Sequence, residues 1–285
     1  MLQHQRCGAA DPHGYLAIKL GGSILTDRDQ HCAINQQALH RCARAVAHYC
    51  QTARRLPLVF LGGGSFAHPF AHQIAVAADD ASRSRHSMQM AAALEDLRQH
   101  FAGACRAVGL NPRLWRETDL FGHDNIQFVT RPAAAQIAAE PAALHVLTGG
   151  SLNRTDGSTA LLSSDDLAVL LCQRLPIARF AILTDVAGVI DFARFAQLVA
   201  DIPAHQATAA LQYCGANKES DMTGGMNRKL QNCIQLVQVG IPCYVGNAVE
   251  LERNALSAIA SGTRRGTYFH AALVDDIRLD AGEQL

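Results

Sequence analysis

Three glycine-rich turns, each directly after an apolar run, could hold an anion: Lys19-Leu20-Gly21-Gly22-Ser23, Gly62-Gly63-Gly64-Ser65 and Thr223-Gly224-Gly225-Met226. Glycine lets the main chain approach an oxyanion closely, with its N–H groups pointing at it. Three such turns in one chain point to a polyanion, and a nucleoside triphosphate is the obvious candidate. Lys19, just before the first double glycine, would set a fixed positive charge over oxygens that the turn already contacts. Phosphoryl transfer asks for this kind of site, since it needs positioning and charge neutralisation but little covalent work from the protein. The plainer reading of Lys19 is a surface lysine at a strand end.

The elements around these turns alternate. Tyr15 to Leu20, Pro57 to Leu61, Leu144 to Leu147, Phe180 to Leu183 and Cys243 to Val245 are short apolar runs that end in turn residues, which predicts buried strands. Helices are predicted between them: Ala91 to Val108 with Gly109 as its C-terminal cap, Asp165 to Leu175, and Asn227 to Val239. The result is an α/β fold around a mostly parallel sheet covered on both faces. Ligands of such sheets bind beyond the carboxyl ends of the strands, where the glycine turns fall. The stretch Gly149 to Ser158 predicts a hairpin or flap, and marks a division of one domain (14–273) into an acceptor-binding part to about 155 and a nucleotide-binding part from about 156. Residues 1–13 and 274–285 are expected to be loosely held tails.

Composition narrows the function further. The 285 residues are 49% hydrophobic and 18% charged, with 25 basic and 25 acidic side chains that cancel. Balanced charge gives no general reason to bind nucleic acid or an anionic membrane, so an anion site must be local. No apolar run reaches about 18 residues, and the start lacks the apolar core of a secretory signal, so a soluble cytoplasmic protein is expected. The nine cysteines form no Cys-x-x-Cys pair and are expected as reduced thiols, most of them core side chains. His40, His48, His68 and His72 share no carboxylate at metal-ligand spacing, so no protein-held metal is expected. Trp115 is expected to pack in the core.

Four motifs occur in an order that resembles the amino acid kinase family: Ile18-Lys19-Leu20-Gly21-Gly22-Ser23, Gly62-Gly63-Gly64-Ser65-Phe66-Ala67-His68, Leu183-Thr184-Asp185-Val186-Ala187-Gly188-Val189, and Asp221-Met222-Thr223-Gly224-Gly225-Met226 followed by Lys229. The resemblance runs from about Tyr15 to about Thr267. It implies a three-layer α/β/α sandwich, ATP and Mg²⁺ as cofactors, and a homodimer. It makes Lys19 the lysine on the transferred phosphoryl group, Lys229 the lysine reaching the ATP phosphates, and Asp165 the aspartate that orients both. Gly21, Gly22, Ser23, Thr184, Asp185, Gly188, Val189, Thr223, Gly224, Gly225 and Met226 would complete the ATP site.

Within that family a histidine after the second glycine turn is similar to isopentenyl phosphate kinases and fosfomycin kinases, where it contacts the acceptor's phosphate or phosphonate. The chemistry is coherent: an imidazole donor at His68 offsets repulsion between an anionic acceptor and the incoming γ-phosphate, and an acceptor oxygen already ionised needs no general base. The plainer reading of His68 is a cap on the following helix, where Pro69 suits the first turn. Gly63, Gly64, Ser65, Ser163, Ser164 and Asp165 would line the acceptor side. Ser163-Ser164-Asp165 resembles the Ser-Ser-Asp of fosfomycin kinases, which makes fosfomycin the expected acceptor, converted to a phosphoanhydride. Isopentenyl phosphate is the alternative, and a non-catalytic nucleotide sensor is the rival of another class.

Three departures from the family pattern stand out. Ala67 replaces the glycine usual before the histidine, Arg28 stands about where a lysine is usual, and Thr148-Gly149-Gly150-Ser151 replaces a usual Gly-Asp. The last predicts a looser acceptor wall.

Overall fold

The computed structural model describes residues 14–53, 55–120, 126–154, 158–213, 225–249 and 251–271. The two expected tails fall outside the described residues, as do Asp221, Met222, Thr223 and Gly224 of the third glycine turn.

In chain order the elements are β1 (Tyr15–Leu20), α1 (Gly22–Leu25), α2 (Gln36–Cys50), β2 (Leu58–Leu61), α3 (His68–Val76), α4 (Asp80–Ala107), β3 (Pro112–Leu114), α5 (Glu117–Leu120), α6 (Ile126–Ala139), β4 (Leu144–Thr148), β5 (Gly150–Asn153), β6 (Thr159–Leu162), α7 (Ser164–Cys172), β7 (Ile177–Thr184), β8 (Ile190–Asp191), β9 (Gln197–Leu198), β10 (Asp201–Pro203), α8 (Gly225–Val237), β11 (Cys243–Asn247), α9 (Ala255–Ser261) and β12 (Thr267–His270). Eight strands form one sheet in the order β10-β12-β11-β7-β1-β2-β4-β3. From β11 to β3 every pairing is parallel, while β12 runs antiparallel to β11. The pairs β5–β6 and β8–β9 are separate antiparallel hairpins.

The strands read as unbroken apolar runs because both faces are covered. On one face Tyr15, Ala17, Phe60, Phe180 and Ile182 pack with Leu167 and Leu171 of α7 and Leu230 of α8. On the other Leu16, Ile18, Val59 and Leu183 pack with Leu39 of α2, Leu94 and Leu97 of α4 and Ile259 of α9. This is the three-layer α/β/α arrangement. The flap expected from Gly149 to Ser158 is the β5–β6 hairpin, its tip (155–157) outside the described residues.

Helix α4 departs most from expectation, starting eleven residues before Ala91, at Asp80. Asp79 caps it by accepting from Ser82 N–H at 2.7 Å, and the polar Ser/Arg-rich first turns carry no apolar stripe to reveal them. Gly109 follows the helix at φ +83°, the left-handed geometry expected of it. Trp115 is buried, and its indole N–H donates to His145 Nδ1 at 3.0 Å. Cys42, Cys105, Cys172, Cys233 and Cys243 are buried and Cys32 and Cys50 half-buried, all as free thiols. Burial pushes the Cys42 and Cys105 thiols up to about 12, which keeps them protonated and inert. Among the described residues, no helix is long and apolar enough to cross a membrane.

Candidate functional site

At the carboxyl end of the sheet, β1 and β2 end side by side, Leu20 opposite Leu61, and each releases a glycine turn. Gly21 N–H donates to Leu183 O at 2.8 Å and Gly62 N–H to Leu20 O at 2.7 Å, so the sheet ladder continues into both turns. The turns interlock backbone to backbone. A Cβ on Gly22 would run into Gly64, and one on Gly62 into Gly22. Thr26 stitches them together: its hydroxyl donates to Gly22 O at 2.8 Å and accepts from Ser65 N–H at 3.1 Å. Gly64, at φ +50°, is held against that hydroxyl. Ser65, expected on the acceptor side, is buried and its hydroxyl accepts from Ala33 N–H at 3.3 Å.

Lys19 follows Tyr15 and Ala17 on the strand face covered by α7, because side chains alternate along β1. Its ammonium is nearly buried and lies 2.6 Å from Asp165 Oδ2, which rules out the surface-lysine reading. Asp165 is the second residue of α7, whose N-terminus is capped by Ser163 accepting from Asp166 N–H at 3.0 Å. That helix end favours negative charge. Burial pushes the Asp165 carboxyl up, but the Lys19 ammonium and its hydrogen bond, with Lys229 and Arg228 adding positive charge, outweigh this and hold it below the usual carboxylate range. Asp165 Oδ1 is buried and has no hydrogen-bond partner among the described residues. Asp166 and Arg228 form an ion pair between α7 and α8, which fixes the start of α8 and hence the base of Lys229.

The nucleotide-side residues leave β7 together. Thr184 is its last residue and donates from its hydroxyl to Asp185 Oδ1 at 3.0 Å. Gly188 at φ +147° runs close past Thr267, whose hydroxyl accepts from Val189 N–H at 2.8 Å and donates to Val199 O at 2.7 Å. Thr26 and Thr267 carry no local sequence signal of these roles, since their partners are brought close only by the fold. Arg28 Nη2 lies 3.1 Å from Asp185 Oδ2, so the arginine that replaces the family lysine reaches the turn after β7. Of the third glycine turn the described part is Gly225 and Met226, which open α8.

On the acceptor side, His68 is the exposed first residue of α3, and the cap position is Ala67, which makes no side-chain cap bond. The capping reading of His68 is therefore corrected, and the residue is exposed beside the second glycine turn. Ala67 takes space that Gly63 leaves open, since a Cβ on Gly63 would collide with the Ala67 methyl. Ser163 is the α7 cap and Ser164 is buried, so Ser163-Ser164 has a structural reason independent of any acceptor.

The looser wall expected at Thr148-Gly149-Gly150-Ser151 is also corrected. Arg98 of α4, buried to 1% exposure, donates to Thr148 Oγ1 and also to Glu95 Oε2, from Nη2 at 3.0 Å and from Nε at 3.2 Å. Ser87 and Ser151 share a buried hydrogen bond of 2.7 Å. Gly149 backs onto the start of α7, where a Cβ would meet Ser164 N at 2.5 Å.

A parallel sheet with interlocked glycine turns, and a lysine–aspartate pair at the strand ends, defines a class. Residues 15–247 match the amino acid kinase family, and the chain belongs to that family as a phosphotransferase. More particularly, it is similar to the isopentenyl phosphate kinase of Haloferax volcanii, 26% identical over 261 residues that span 88% of this chain and 97% of that one. The isopentenyl phosphate kinase of Methanothermobacter thermautotrophicus is 24% identical over 270 residues, 87% of this chain and 98% of that one. The solved structure described as "X-ray structures of isopentenyl phosphate kinase" shares the fold with a TM-score of 0.70 at 21% identity, over 90% of this chain and 99% of that one.

Proposed function

We propose that the chain transfers the γ-phosphoryl group of ATP to isopentenyl phosphate, forming the diphosphate. The observation that carries the reading is the convergence of Lys19 on Asp165 at 2.6 Å, with the charge of Lys229 acting on the same carboxylate, beside two interlocked glycine turns. Lys19 then stabilises the transferred group, Lys229 reaches the ATP phosphates, and Asp165 orients the two lysines. The first and third glycine turns contact the ATP phosphates. Thr184, Asp185, Gly188 and Val189 serve the nucleotide, so the part from about 156 onward is the ATP side and the part before it the acceptor side. His68, exposed beside the second turn, donates to the acceptor phosphate.

An acceptor oxygen, ionised at neutral pH, attacks the γ-phosphorus while the bond to the β–γ bridging oxygen breaks and ADP leaves with that electron pair. No proton has to move, which suits a site whose Asp165 carboxylate is already held by Lys19. Mg²⁺ suits the triphosphate itself, being a hard ion that keeps several waters, and when bound it supplies neutralisation of the phosphate oxygens. Among the described residues no group of three His, Cys, Asp or Glu side chains could hold an ion.

The near full-length match to two isopentenyl phosphate kinases supports that acceptor over fosfomycin. Of the serines that resemble fosfomycin kinases, Ser163 is accounted for by the α7 cap and Ser164 by burial. A homodimer is proposed on the family resemblance, and sedimentation velocity tests it. The deciding experiment is incubation with ATP and Mg²⁺ and either acceptor, read by phosphorus NMR. Diphosphate from isopentenyl phosphate is expected. An anhydride from fosfomycin alone would replace the acceptor, and ATP binding with turnover of neither would favour the sensor.

A further inference from the structure

We propose that Arg98 is a positioning residue for phosphoryl transfer, acting through Thr148 and the Gly149 corner on the helix that carries Asp165. The proposal rests on the reading that Lys19 and Asp165 serve that transfer.

The path is continuous in the structure. Thr148 ends β4 opposite Leu61, Leu61 lies opposite Leu20, and Leu20 opposite Leu183, so Thr148 belongs to the row of strand ends that launches both glycine turns. The next residue, Gly149, is pressed against Leu162 to Ser164 with no space for a side chain. Ser163 caps α7, and Asp165, two residues on, holds Lys19. A shift of Thr148 therefore moves the start of α7 and the carboxylate on it.

Arg98 controls that shift because its planar guanidinium is fixed at both edges. Nε and Nη2 go to Glu95 and Nη1 to Thr148. Burial pushes the Glu95 carboxyl up, but bonds from Gln99 and Arg98 and the charges of Arg98 and Arg116 hold it below its usual range, so the arginine faces a charged partner. Leu94, one turn earlier on α4, lies beneath Gly63, and the Ser87–Ser151 bond ties the same helix to β5. Helix α4 thus registers the β4–β5 corner against the second glycine turn. A buried charge is a costly way to fill space that an apolar side chain could fill, and its use here matches a demand for geometry.

The test compares Arg98→Met, Arg98→Lys, Thr148→Val and Thr148→Ser. Arg98→Met and Thr148→Val are expected to lower kcat by about tenfold or more, as small misplacements of positioned groups do, with both KM values within threefold. Arg98→Lys keeps the charge but not the fork and should not rescue, whereas Thr148→Ser keeps the hydroxyl and should stay within twofold of the natural chain. The ¹⁵N resonance of the Lys19 ammonium, assigned by its loss in Lys19→Arg, should shift in Arg98→Met and Thr148→Val. That signal reads the Asp165–Lys19 geometry whatever the acceptor is, so a chain inactive on isopentenyl phosphate would sink the acceptor reading and leave this one still measurable. If Arg98→Met fails to fold, Thr148→Val decides. An unmoved Lys19 resonance with kcat per folded molecule within twofold would overturn the proposal, whatever happens to Tm.

Discussion

Lys19 and Asp165 meet across 146 residues of sequence at 2.6 Å, and the lysine side chain is only 4% exposed. A pair this enclosed is asymmetric in its energetics, since removing one partner leaves the other charge uncompensated, at about 3–5 kcal/mol for fully buried pairs. The sequence alone predicts that Lys19→Ala would remove turnover and largely spare folding, but the pair geometry predicts a second effect. Lys19→Met should lower Tm as well as abolish turnover, and Lys19→Met combined with Asp165→Leu should recover much of the Tm while remaining inactive. Thermal melts of the two singles and the double read this directly. Losses that simply add in the double variant would show that the pair is not coupled.

The same carboxylate sets an acid limit. Its folded value lies below the ordinary aspartate value of 3.8, so the unfolded chain binds the proton more readily there. Stability from the pair is fully present above that value and is lost as pH falls through the lowered folded one. His145 acts earlier. Burial lowers its value below 6.5 despite the raising effect of its bond to Glu140 O, so it also favours the folded state only while neutral, and its contribution begins to fall below about pH 6.5. Urea melts from pH 7.5 to 5 should show a decline that His145→Asn flattens, the amide oxygen still serving Trp115. A slope that survives the substitution would assign the decline to other groups.

Which parts of this were legible in the sequence follows from where the information sits. The strand ends and glycine turns could be read because each is local: an unbroken apolar run, then residues that only a turn accommodates. Lys19 could be read from its place beside such a turn. Thr26, Arg98, Thr148 and Thr267 could not, because each acquires its role from a partner brought close only by the fold, as Arg98 and Thr148 are across 50 residues. Ser163 misled for a related reason, since a helix cap and an acceptor contact leave the same serine in the sequence. The first turns of α4 are not legible because their Ser and Arg carry no periodic apolar signal, although Asp79 marks the cap.

Ala67 and Gly63 are linked by space. A side chain at Gly63 would overlap the Ala67 methyl and press on Leu94 at 3.3 Å. Gly63→Ala should therefore destabilise by about 1–3 kcal/mol, as overpacking does. Ala67→Gly, the residue usual in the family pattern, should relieve most of that loss in the double variant. Denaturant midpoints for the four chains test it, and strictly additive effects would mean that the collision is relieved elsewhere.

His68 gives the sharpest functional prediction because it is exposed at the first position of α3. Replacing it should leave the fold nearly intact, with Tm changed by little, while any bond to an anionic acceptor is lost. Hydrogen bonds to charged groups contribute about 1.5–3 kcal/mol, which corresponds to a loss of roughly tenfold to 150-fold in kcat/KM for the acceptor. His68→Ala is expected within that range for isopentenyl phosphate, with the ATP dissociation constant unchanged within twofold. His68→Asn, which keeps a donor on a shorter side chain, should recover part of the loss. Steady-state kinetics with calorimetric ATP binding distinguish the outcomes: unchanged acceptor kinetics would remove His68 from the acceptor site, and a matching loss of ATP affinity would move it to the nucleotide side.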